Sequence, residues 1–144
     1  MLTRSSQGIW RGQLKNGKGT MIIGEAGFEV DYSFPSRFEN GSGTNPEEVI
    51  GAAHAGCFSM ALSHLIEEAG YTPQEISTRA TVHLCKSDSG FSIDKIALQT
   101  DAKVPEMPAA DFTSKAEEAK SSCPVSRALA GVEITLEANL AGAD

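Results

Sequence analysis

The sequence carries no surplus of positive charge. Lys and Arg number 12 against 19 acidic residues, for a net charge of −7, and that balance excludes a groove built to grip nucleic-acid phosphates. Its start, MLTRSSQGIWRG, holds no apolar core of the kind a signal peptide needs, so none is expected. Low-complexity tracts and internal repeats are absent as well. Cysteine is scarce, with only Cys57, Cys85 and Cys123. An odd number of widely spaced cysteines suits a cytoplasmic protein with thiol chemistry better than a secreted disulfide scaffold. Charge is missing altogether from Val49 to Ile66, a run of 18 residues. Such a run reaches the lower limit of membrane-spanning length. It nevertheless contains two Gly, two Ser and two His, and Glu47, Glu48, Glu67 and Glu68 flank it closely. A buried helix in a soluble protein is the better reading, with no membrane partner.

What is present fits one globular domain over residues 1–144, large enough for a real core, at 40% hydrophobic and 22% charged residues. The first third reads as three short strands, GIWRGQL, GTMIIG and GFEVDYSF, with Asn16-Gly17 as a hairpin turn signal. PSRFENGSGT reads as a polar loop. Then comes the best-marked helix start: Asn45 can cap, Pro46 suits the first helical position, and Glu48 stands where a capping box wants it. That helix is expected over about 46–69, stopping at Gly70 after about 24 residues and roughly 36 Å. Alternation predicts two longer strands over 76–86 and 91–104, joined at SDSG. AADFTSKAEEAKSS reads as a helix opened by Asp111, CPVSRALAG as a short helix, and VEITLEANL as a final half-buried strand.

The order βββ-α-ββ-α-α-β predicts an α+β fold with a mostly antiparallel sheet and a long buried central helix. A helix apolar around most of its circumference needs cover on several sides, and one sheet covers only one face. A second copy of the chain is expected to supply the rest, which makes an intimate homodimer.

The cysteines admit a bland reading, since a buried cysteine is usually a small hydrophobe. Cys123 precedes Pro124 and a short helix, so it is a candidate N-cap where free N–H groups favour thiolate. Cys57 lies about three turns inside its own helix, beyond reach of that helix's dipole, and would need another cation to become reactive. Cys85 alternates with His83 and Thr81 on a strand and reads as filler. His54, Cys57 and His64 share one side of a helix and could hold zinc, though no further ligand accompanies them. A Cys57–His54 hydrolytic pair lacks a visible orienting residue and oxyanion hole.

SRFENGSGTNPEEVIGAAHAGCFSMALS followed at a distance by CPVSRAL resembles the OsmC/Ohr family, and within it the OsmC branch. The likeness runs from WRGQLKNGKGT to the closing VEITLEANL. Neither half of the motif is specific alone; N-P-E-E, ten residues, C-F and a distant C-P-V-S together are. The resemblance implies a thiol peroxidase that reduces organic hydroperoxides, without a cofactor or metal, as an interlocked homodimer with active sites at the subunit interface. By motif it puts the peroxidatic cysteine at Cys57, the resolving cysteine at Cys123, the catalytic arginine at Arg37 and its carboxylate partner at Glu47. It further implies resetting by an external dithiol, lipoylated proteins in particular for the Ohr branch, and assigns Cys85 no role.

Chemistry agrees with those roles. A thiolate breaks the weak O–O bond and becomes sulfenic acid, and a second cysteine traps that acid as a disulfide before further oxidation. Arg37 would supply the missing cation and Glu47 would hold it. In one straight helix Glu47 and Cys57 stand about 15 Å and about 80° apart, so Arg37 must bridge them or a partner subunit must contribute. A thiol among Ile50, Phe58, Met60 and Leu62 would favour bulky peroxides over hydrogen peroxide. The alternative from another class is a non-enzymatic stress-related dimer with structural cysteines.

Overall fold

The structure, a computed structural model, describes residues 1–142. It is α+β, with six strands in two three-stranded sheets and four helices. Two compact units emerge, Met1–Val49 and the chain from Ile50 onward.

The first unit is a meander. β1 (Gln7–Arg11), β2 (Lys18–Ile23) and β3 (Phe28–Tyr32) pair antiparallel in sequence order. The hairpin expected at Asn16-Gly17 forms, but by different chemistry. The connection spans residues 12–17, Gly12 supplies the positive φ of 95°, and neither Asn16 nor Gly17 adopts one. Gly17 is required for space: its N–H bonds the Gln13 carbonyl at 2.7 Å, and a Cβ there would collide with the backbone oxygens of Gln13 and Arg11. Trp10 and Tyr32 pack across β2 with ring centroids 5.5 Å apart, where Gly19 leaves room for both.

The segment read as a polar loop holds a short helix, α1 (Phe34–Phe38). Ser33 caps it: its Oγ accepts from the Ser36 N–H at 3.1 Å, and Ser36 Oγ accepts in return from the Ser33 N–H at 2.8 Å. Serine in place of Glu or Gln on the return bond is why the box escapes a sequence search. Ser36 Oγ also donates to the Thr44 carbonyl at 2.6 Å, tying the helix to the following turn.

The long helix α2 (Pro46–Glu68) starts where its signals put it. Asn45 Oδ1 accepts from the Glu48 N–H at 2.9 Å. The Glu48 carboxylate takes the Thr44 hydroxyl at 2.8 Å, so it leaves the reciprocal half of the box open. Gly70, at φ 95°, follows the helix in the left-handed conformation that only glycine adopts at no cost.

In the second unit β4 (Glu75–Ser87) and β5 (Gly90–Lys103) form a long antiparallel hairpin. α3 (Ala109–Ser122) and α4 (Pro124–Ala128) then carry the chain across to β6 (Glu133–Leu140), which pairs parallel with β5. A parallel partner needs such a crossover. α3 begins at Ala109 with Pro108 at its cap position, and Asp111 lies in its first turn rather than before it.

The core of this unit joins one stripe of α2, Phe58, Leu62 and Ile66, to Ile96, Leu98 and Ala102 of β5 and to Phe112, Ala116 and Ala119 of α3. Gly51 lets α2 approach β4 closely, because a Cβ there would meet the Ala80 carbonyl at 3.2 Å. Ser59 Oγ on α2 donates to Thr78 Oγ1 at 2.7 Å, which in turn shares a 2.9 Å hydrogen bond with the fully buried Thr100. Away from that stripe α2 stays uncovered within the chain: Ala52, Ala53, Gly56 and Met60 are exposed, Met60 at 78%. One sheet covers one face, as geometry demands.

Candidate active site

Four side chains were singled out by the sequence, and they fall into two pairs. Arg37 and Glu47 form the first, within the first unit. α1 presents Arg37 in its last turn, and Glu47 occupies the first turn of α2. The guanidinium grips the carboxylate in a fork: Nε lies 3.1 Å from both oxygens and Nη2 2.6 Å from Oε1. Such bidentate pairs fix orientation as well as charge. The Glu47 side chain is 9% exposed and that of Arg37 36%, so the carboxylate is enclosed while the guanidinium retains an open side. Asn45 Nδ2 bonds the Ser36 carbonyl at 3.0 Å and locks α1 against the start of α2.

Cys57 and Cys123 form the second pair, within the second unit. They are 66 positions apart in sequence, yet each free thiol is among the groups that set the other's acidity. Cys123 caps α4, its sulfur accepting from the Ser126 N–H at 3.4 Å, which is the N-cap role its place before Pro124 suggested. Cys57 lies midway along α2, half-buried, whereas Cys123 is 1% exposed. An incoming molecule can therefore meet Cys57 first.

The two sulfurs differ in acidity. Burial, the largest influence, lifts the Cys57 thiol above its ordinary range. The Val125 N–H pulls it back, and the hydrogen bond to Cys123 with that sulfur's charge adds to the rise. Burial lifts Cys123 too, but the Ser126 hydroxyl, the Ser126 N–H, the Cys57 thiol and the Val125 N–H together outweigh it and bring Cys123 below its ordinary range. Four donors against one decide the direction. Within this pair the two directions favour negative charge on Cys123 over Cys57. The contact between Val125 and Cys57 also amends the sequence reading, which considered only the dipole of Cys57's own helix. The N-terminal turn of α4 reaches it across space.

Two residues of this cluster escaped assignment from sequence. Ser126 bonds the Cys123 sulfur through its backbone N–H at 3.4 Å, and its hydroxyl shares a 2.7 Å hydrogen bond with Nε2 of His54. His54 is fully buried, and burial lowers its pKa, so the imidazole is neutral. The 72 positions that separate His54 from Ser126 leave no local signal. His54 thus turns to Ser126 and not to Cys57, which removes the hydrolytic pairing. His64 is exposed and sits 3.4 Å from Glu68, so the proposed zinc ligands do not converge. Among the described residues no group of three His, Cys, Asp or Glu could hold a metal ion.

Cys85 stands apart on β4, where Asp94, the extra residue of a β-bulge opposite His83 and Leu84, accepts from its thiol at 3.3 Å. Of the four side chains suggested as thiol surroundings, Phe58 and Leu62 belong to the core and Ile50 packs against it; only Met60 faces outward.

Comparison with known proteins gives the same outline. The family model for OsmC-like proteins matches residues 39–137, a span that includes Glu47, Cys57 and Cys123 and begins just after Arg37. The peroxiredoxin OsmC of Escherichia coli is 50% identical over 139 residues, covering 95% of this chain and 96% of that one. The crystal structure of the organic hydroperoxide resistance protein OhrB of Bacillus subtilis superposes with a TM-score of 0.70 at 25% identity, over 94% of this chain and 98% of that one. An OsmC-like protein of unknown function from Vibrio cholerae superposes with a TM-score of 0.76, over 96% and 99% of the two chains, at 16% identity.

Proposed function

The chain belongs to the OsmC-like proteins, and from that premise we propose that it is a cysteine-based peroxidase that reduces organic hydroperoxides to alcohols. The observation that carries this reading is the pair of free thiols that influence each other's acidity, one reachable and one buried.

In the proposed cycle the Cys57 thiolate attacks the terminal oxygen of the hydroperoxide. The O–O bond breaks, the alkoxide takes up a proton and leaves as an alcohol, and Cys57 becomes a sulfenic acid. The Cys123 thiolate then attacks that sulfur. Hydroxide leaves with a proton as water, and a Cys57–Cys123 disulfide remains. An external dithiol reduces it by exchange and is itself oxidised to a disulfide.

The first step needs the thiolate on Cys57, while the pair by itself favours Cys123. Arg37 is the cation of the proposal: beside Cys57 it would draw the negative charge to that sulfur and hydrogen-bond the departing oxygen. Glu47 fixes its fork. The bland, uncharged face of α2 around Ala52, Gly56 and Met60 fits a second copy of the chain, so the working unit is a homodimer with the active sites at its interface. Sedimentation showing only a monomer at micromolar concentration would remove that part. The protein acts as a single OsmC-like domain, soluble in the cytoplasm, with a dithiol as reductant, lipoylated proteins being one source. No cofactor enters the cycle.

The test is turnover by purified protein with a dithiol and either cumene hydroperoxide or hydrogen peroxide. The reading expects faster turnover of cumene hydroperoxide, and loss of both activities in Cys57→Ser. Full turnover in Cys57→Ser would overturn it.

A further inference from the structure

His54 has no place in the cycle above, yet it is fully buried, neutral in its surroundings and aimed at Ser126. Burying an imidazole costs free energy unless its nitrogens are used. Nε2 is used, at 2.7 Å from Ser126 Oγ, while Nδ1 has no partner among the described residues. The network fixes the tautomer. Nε2 is the nitrogen with a partner, so it carries the hydrogen and the Ser126 oxygen accepts it. That leaves the Ser126 hydroxyl hydrogen free for the nearby Cys123 sulfur, whose charged form it favours. Nδ1 is then a bare lone pair. An unpaired acceptor is a smaller penalty than a buried N–H without a partner. The opposite tautomer would orphan a donor and take the Ser126 proton away from the sulfur.

We propose that His54 is a positioning residue for the resolving step, holding the Ser126 hydroxyl on Cys123 through a directed chain, His54 Nε2–H to Ser126 Oγ and Ser126 O–H to Cys123 Sγ.

The inference rests on the peroxidase reading for its functional consequence, though not for the chain itself. A serine hydroxyl rotates freely about its C–O bond. By giving Ser126 a donor to accept from, His54 removes the orientation in which the hydroxyl points away from the sulfur. The Ser126 backbone N–H is fixed by α4 and reaches the same sulfur at 3.4 Å, so Cys123 is gripped from two directions. Cooperative polarisation along such a chain strengthens the final hydrogen bond. The titratable groups facing Cys123 are Cys57 from α2 and, through Ser126, His54 from the same helix.

The chain favours charge on Cys123, the sulfur that must attack Cys57. When Cys57 carries a hydroxyl as sulfenic acid, Cys123 must attack as a thiolate before a second hydroperoxide does. In that attack Ser126 keeps its proton; the S–S bond forms, the S–OH bond breaks, and hydroxide leaves as water with a proton from solvent. Ser126 and His54 lower the cost of holding the nucleophile ready.

Two measurements separate this role from simple packing. In a Cys57→Ser, Cys85→Ser chain Cys123 is the last thiol, and its ultraviolet thiolate absorbance can be titrated without any peroxide. Ser126→Ala should raise its midpoint by roughly one pH unit, the scale of one lost hydrogen bond to a charged sulfur. His54→Ala should raise it in the same direction by less. Ser126→Thr and His54→Gln, which keep the donors, should restore it. In otherwise native chains treated with cumene hydroperoxide, Ser126→Ala and His54→Ala should slow formation of the Cys57–Cys123 disulfide roughly tenfold, in line with that shift. Dimedone-trapped sulfenic acid should accumulate at Cys57, and its rate of formation should not fall. An unmoved Cys123 midpoint in folded Ser126→Ala and His54→Ala would overturn the proposal. A native chain that forms neither sulfenic acid nor disulfide would instead sink the peroxidase reading, and the titration would still decide on the hydrogen-bond chain.

Discussion

Removing Arg37 separates its structural duty from its catalytic one. In Arg37→Ala the Glu47 carboxylate, 9% exposed, loses three contacts from the guanidinium at 2.6–3.1 Å. Breaking a fully buried pair costs about 3–5 kcal/mol because a lone charge is left behind. Here the Arg37 side is 36% exposed, so water can enter where the guanidinium stood. A cost of about 2 kcal/mol follows, below that range but above the typical exposed pair. For a chain of this size, it corresponds to a melting point lower by about 4–8 °C. Glu47→Gln added to Arg37→Ala removes the orphaned charge and should return most of that loss. Peroxidase activity should not return with it, because the cation is still gone. Urea unfolding and cumene hydroperoxide turnover, measured on the two single variants and the double, give both answers. A double variant that regained activity along with stability would refute the catalytic role of Arg37 and leave the pair as a clamp between α1 and α2.

Two further outcomes follow from single contacts. Cys85 is exposed, but its bond to Asp94, burial and the Asp94 charge raise its pKa, so it should be alkylated slowly at neutral pH and faster as pH rises. Asp94→Asn should speed that alkylation at pH 7; unchanged rates would mean that Asp94 does not control the thiol. His54 is lowered by burial from 6.5, so the unfolded chain binds its proton more readily than the folded one. Its contribution is present above about pH 6.5 and is lost as pH falls below it. The melting temperature should drop from pH 7.5 to pH 5, less steeply in His54→Gln, and equal slopes would contradict a neutral buried imidazole.

Local signals carried far in this chain. Asn45, Pro46 and Glu48 marked the start of α2 to the residue, because a cap and a fixed φ act within one turn. Alternation located β4, β5 and β6 within a residue or two, since half-burial repeats every second position. What is not local stayed hidden. Nothing in the strand runs says that they divide into two sheets, or that β6 returns parallel to β5 across α3 and α4. α1 was missed because its capping box is closed by Ser36, and the Asn16-Gly17 turn was misjudged because Gly17 serves close approach rather than positive φ. At the site, the motif pointed to Arg37, Glu47, Cys57 and Cys123, and the structure joins them in two pairs. Val125, Ser126 and His54 had no such signal. Their roles arise from an N–H at the start of α4 and from a hydrogen bond between residues 72 positions apart.

The central claim is that Cys57 and Cys123 are a working redox pair. Reduced protein treated with one equivalent of cumene hydroperoxide, then digested and analysed by mass spectrometry, tests it most directly. The account predicts loss of two thiols per chain, a peptide linking Cys57 to Cys123, and Cys85 still reduced. Three intact thiols in folded protein, or a linkage that involves Cys85, would contradict it.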